Sequence, residues 1–154
     1  MATTAEATTR VWRRHAAAAL ASTVFPAVFV QAMLLANWHV EHPVFVPGDD
    51  SPGIAANGGN LIAVPMFAVA AIVCLLFPLL WGIAAFRTGQ GKAVKDLPAI
   101  TTVLQVVALL VALPAAMSLP YNWADVTALV AADLVALSVA LRPRWPRRTS
   151  PGPA

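Results

Sequence analysis

Four long apolar runs constrain this chain more than any other feature of it. A helix needs about 20 apolar residues to cross a hydrocarbon core roughly 30 Å thick. Residues 16–36, 61–86, 97–119 and 123–141 each meet or approach that requirement. The second run is long enough to tilt or bend and contains Pro65 and Pro78, while Pro114 lies near the end of the third. Prolines are tolerated in such spans because neighbouring helices, hydroxyl side chains or water satisfy the carbonyls they free. Composition agrees, with 59% hydrophobic and only 11% charged residues, against about 25% charged in an ordinary globular protein. So little charge cannot cover a soluble surface. The expected fold is an all-α membrane protein, a bundle of four transmembrane helices.

The first run follows a basic start, as a signal peptide would, but exceeds the usual apolar core of about 7–15 residues. Leu34 also stands where a cleavage site ending at Ala36 would need a small residue. A retained span is therefore expected.

Basic residues orient the four spans. All ten Lys and Arg fall in three places: Arg10, Arg13 and Arg14; Arg87, Lys92 and Lys95; and Arg142, Arg144, Arg147 and Arg148. With four crossings these regions share one side, and the positive-inside rule assigns that side, with both termini, to the cytoplasm. Trp12, Trp81 and Trp145 read as an aromatic belt at the cytoplasmic ends. Trp38, Tyr121 and Trp123 read as the belt opposite. The sequence pI near 9.8 is then topogenic, so the expected partner is the lipid bilayer and not nucleic acid. Residues 1–14 are expected to be a flexible cytoplasmic segment and 143–154 a disordered basic tail. The Ala, Val, Pro and Arg bias, with Arg exceeding Lys, suits a high-GC bacterial genome, and hence a bacterial plasma membrane.

Two polar features stand out. Asp133 lies ten residues from Trp123 and nine from Arg142, near the middle of the fourth span. A charged acid there costs about 2.5–3.5 kcal/mol on insertion scales, so it must face the bundle and find a partner. Gln105 is at matching depth, eight residues or about 12 Å into the third span. Together they read as an intramembrane polar site, either a structural clamp, a proton or cation site, or a contact with another subunit. Asp125, in the first turn of the fourth span, suits the helix dipole and water. Ala124, Ala128, Ala132, Ala136 and Ala140 recur every fourth residue beside Asp133, each step turning about 40°. Such a stripe lets two helices approach closely, either within the bundle or across a homo-oligomer.

The second feature is the loop 37–60. His39, Glu41 and His42 are its candidate metal ligands, since imidazole and carboxylate suit zinc or copper. They lack the i, i+4 histidine pair that presents two ligands on one helix face, so a solvated His/Trp cluster is the expectation. Asp49 and Asp50 are too few for a calcium site of about 6–8 oxygens. The sequences PGDDSPG and NGG read as turns.

No catalytic residues, cofactor site or metal centre is expected. Cys74 is the one cysteine and sits in an apolar run, where a small buried thiol is its ordinary role. The chain reads as a small integral membrane component without catalytic motif: an accessory or assembly subunit, or a homo-oligomer. A transporter or channel using Asp133 is the first alternative, and a membrane-embedded enzyme the second.

Overall fold

The computed structural model describes residues 4–42, 54–92, 94, 96–120 and 122–141. Expectations for the turns in 43–53, for Lys95 and Tyr121, and for Arg142 and the tail lie outside them. Every regular element among the described residues is an α-helix, and no strand occurs there. In chain order these are α1 (Thr4–Ser22), α2 (Val24–Glu41), α3 (Ile54–Cys74), α4 (Leu76–Gly89), α5 (Leu97–Met117) and α6 (Asn122–Ala140). They compose four helical stretches long and apolar enough to cross a membrane. α1 continues into α2, and α3 into α4, each pair broken at a single residue, Thr23 or Leu75.

Both breaks have the same cause. A proline lacks the N–H that would bond the carbonyl four residues back, and its ring clashes with that carbonyl. Pro26 therefore frees the Ser22 carbonyl, and Pro78 frees that of Cys74. The chain tightens there: Thr23 N–H bonds the Leu20 carbonyl at 3.2 Å, and Leu75 N–H reaches Ala71 and Ile72 at 3.1 and 3.2 Å. Ser22 and Thr23 hydroxyls donate to the carbonyls of Ala19 and Leu20 at 2.9 and 2.7 Å. Pro65 and Pro114, both exposed, stand within continuous helices.

The kinks are level with one another. Phe25 and Phe77, each just before its proline, meet edge to face with centroids 5.5 Å apart. α2 packs along α3, and α1 along α4, so the two long spans form a bent antiparallel hairpin. α5 and α6 form a second hairpin, laid against the first through α1, α2 and α4. Turn chemistry fixes the connections. Gly91, at φ +72, closes α4 with Gly91 N–H on the Thr88 carbonyl and Lys92 N–H on that of Arg87, a Schellman arrangement. Pro98 stands in the first turn of α5, where its missing N–H costs nothing.

Three boundaries differ from the sequence expectation. α1 begins at Thr4, so residues 4–14 are helical instead of a flexible segment; His15 and Trp12 anchor them on α4, as described below. α2 runs on to Glu41, helped by Asn37 Nδ2 donating to Glu41 Oε1 at 2.8 Å, and ends before Pro43. α3 starts at Ile54, so NGGN lies in helix and not in a turn. A glycine in a helix costs about 1 kcal/mol relative to alanine, and α3 as a whole packs along α2.

The interior has two apolar tiers. The larger gathers Phe25, Val28, Phe29, Ala32, Cys74, Phe77, Ala112, Leu129 and Ala132 among others. The smaller, toward the end that carries both termini, holds Ala18, Trp81, Ala84 and Ala136. Outward faces are apolar too: Leu110 is 69% exposed, and Val103, Val111 and Met117 are similar. Truncating Phe77 to Ala should cost about 3–5 kcal/mol, whereas Leu110→Ala should change stability by no more than about 0.5 kcal/mol. Thermal unfolding in detergent compares the two; equal losses would contradict the assigned core.

Candidate functional site

Between the tiers lies a polar layer built from three helices. The buried face of α5 runs through Pro98, Thr101, Thr102, Gln105 and Ala112, and that of α6 through Leu129, Ala132, Asp133 and Ala136. Spacings of three and four residues keep these side chains on one stripe. α4 contributes Phe77, Trp81 and Ala84 in the same way. Trp81, Gln105 and Asp133 each stand seven or eight residues, roughly 11–12 Å, from the helix ends nearest the termini. All three are buried, at 0%, 0% and 4% exposure.

Trp81 was expected in the aromatic belt; the structure places it in the core instead. Its ring fills the smaller tier, and its indole Nε1–H donates to Gln105 Oε1 at 3.1 Å. Indole nitrogen is a donor only, so it selects the amide's oxygen and leaves the amide nitrogen for another partner. The side chain so placed to act on Asp133 is Gln105. Yet Gln105 Nε2 and both Asp133 carboxyl oxygens are buried without closing a hydrogen bond. The depth match brings the two residues to one level and one interface, with a polar contact left open. The nearby threonines are internally satisfied, Thr101 on the Leu97 carbonyl at 2.7 Å and Thr102 on that of Pro98 at 2.8 Å.

The layer continues toward the termini. His15 lies beside Trp81 with ring centroids 5.9 Å apart. Its Nδ1 is 3.1 Å from Thr88 Oγ1, whose own proton goes to the Ala84 carbonyl at 2.8 Å. The imidazole must therefore donate from Nδ1. Trp12 covers Gly89, where an added Cβ would meet its ring at 3.3 Å. His15 and Trp81 carried no sequence signal for these roles, because azimuth around a uniformly apolar helix is not written in hydropathy.

The alanine stripe divides. Ala132 and Ala136 are buried in the two tiers, Ala128 and Ala140 are half-buried, and Ala124 is exposed. Asp125 lines a groove of about 280 Å³ with Gln31, Leu34, Leu35, Leu119 and Pro120 at the far end of the bundle.

His39, Glu41 and His42 fall in and just after the last turn of α2. His42 stacks on Trp38 at 4.8 Å and donates from Nδ1 to its carbonyl at 3.0 Å; His39 meets the same indole edge to face at 5.1 Å. Glu41 is taken by Asn37. Among the described residues no group of three or more His, Cys, Asp and Glu side chains is gathered to hold a metal.

Trp81 and Gln105 should behave as one unit. Trp81→Phe strands the Gln105 oxygen and Gln105→Leu strands the indole N–H, each costing about 1–3 kcal/mol. The double variant should lose less than the sum of the singles; strict additivity in a denaturation cycle would refute the bond.

In comparisons with known proteins, no family model, no curated protein and no solved structure matches this chain.

Proposed function

We propose that this protein is a multi-pass component of a bacterial plasma membrane with both termini in the cytoplasm, acting without catalysis as an accessory or assembly subunit or as a homo-oligomer. One observation carries the reading. The central polar groups are enclosed, Gln105 at 0% and Asp133 at 4% exposure, with Gln105 tying α5 to α4 through Trp81 and Asp133 buried on α6. What the bundle offers outward is apolar helix surface and the exposed start of α6, with Trp123 82% exposed beside Ala124. Helices in lipid associate through such small-residue and close-packed faces.

A second reading, an ion-coupled transporter or channel, draws on the same layer: a buried acid and a buried amide nitrogen, each without a hydrogen bond. Intramembrane carboxylates mark ion pathways in many such proteins. Asp133→Asn preserves shape and removes titration, so unchanged transport by that variant would dismiss the reading.

Native mass spectrometry after mild detergent extraction should show the chain bound to further copies or to a larger membrane protein. A lone monomer across detergents would overturn the assembly role. For orientation, single cysteines introduced in residues 90–96 should react with impermeant thiol reagents only after the cells are opened. Labelling from outside intact cells would reverse the topology.

A further inference from the structure

The central layer has open valences that none of the bonds described above fills. Trp81 holds the oxygen of Gln105, so the amide offers only N–H groups to Asp133. One neutral amide can satisfy part of a carboxyl group, but a bare carboxylate in this apolar setting needs more. Among the described residues no cation stands against it. Of the helices packed on α6, α1 brings His15, tied to Thr88 on the termini side of Trp81, and Arg14, which is half-buried near the end of the bundle. α5 brings no ionisable side chain beyond the exposed Asp96 at its start, and α2 none before His39 near the far end. On α6 itself Asp125 is two turns away. Arg87 on α4 is exposed, and Cys74 belongs to the larger tier.

A proton on the carboxyl would need an acceptor, and Pro26 provides one. Ala27 N–H bonds the Thr23 carbonyl at 3.3 Å, while the carbonyl of Ser22 has lost its intrahelical donor to the proline ring. Ser22 is fully buried. α1 runs antiparallel to α6, and Ala18 shares a core cluster with Ala136. One turn inward on each helix brings Ser22 level with Ala132 and Asp133.

We propose that Asp133 is a proton-binding site: its carboxyl accepts from the Gln105 amide and carries a proton held on the Ser22 carbonyl that Pro26 frees. The bonds then run in one direction, from the Trp81 indole through one N–H of Gln105 and Asp133 to the kink between α1 and α2. The proton is the bond that joins α6 to that kink.

Infrared difference spectroscopy of the full chain in lipid, at neutral pH, tests this against Asp133→Asn. The expected result is a carbonyl stretch of a hydrogen-bonded carboxylic acid that vanishes in the variant. Pro26→Ala restores an N–H for the Ser22 carbonyl, so it should shift that band or convert it to a carboxylate signal. A spectrum with only a carboxylate at position 133, or a band indifferent to Pro26→Ala, overturns the proposal. Should Pro26→Ala not fold, melting temperatures decide: Asp133→Asn, which can donate and accept in the same places, should match the parent, and Asp133→Leu should melt lower. Equal losses in the two overturn it. None of these readouts depends on the oligomeric state or on a partner.

Discussion

An indole nitrogen can give a hydrogen bond but cannot take one, and the middle of this bundle is arranged around that asymmetry. By claiming the oxygen of Gln105, Trp81 settles which way the amide faces and what α5 presents to α6. The same ring fills the space between α1, α4 and α6, with Ala18, Ala84 and Ala136 as its neighbours. One side chain thus serves both as packing and as orientation. Small residues on the facing helices make that possible, because alanines leave room for a tryptophan without forcing the backbones apart.

Much of this fold can be read directly in the chain, because a single variable, hydropathy along a helix, determines most of it. Apolar length marks the four stretches, and equal depth brings Asp133 and Gln105 to one layer. Hydropathy says little about direction around the helix axis. Trp81 sits close enough to a helix end to pass for a belt residue, and only the neighbours of α4 decide that it points inward. Local composition misleads in another way at Asn57-Gly58-Gly59-Asn60. Those turn-prone residues lie in the first turns of α3, and the polar residues from Thr4 onward are helical in α1, where Trp12 and His15 rest on α4.

The histidines at the end of α2 illustrate the limit of reading residue types without geometry. His39, Glu41 and His42 are close in sequence, yet each is engaged separately, two by the ring or carbonyl of Trp38 and one by Asn37. Proximity along a chain supplies candidate ligands; convergence of their lone pairs is a separate condition, and a helix end distributes these three around its axis.

The two Phe-Pro steps have a mechanical consequence. Each kink alone would be an independent joint in a rod, but the ring of Phe25 rests on that of Phe77, and the rods are packed along their length on both sides of the joint. Bending one therefore bends the other in step. α1 with α4 makes one rigid arm and α2 with α3 the other, sharing a common axle at the phenylalanine pair. The hairpin of α5 and α6 packs on both arms, through α1, α2 and α4, so any flexing at that axle would have to slide along it.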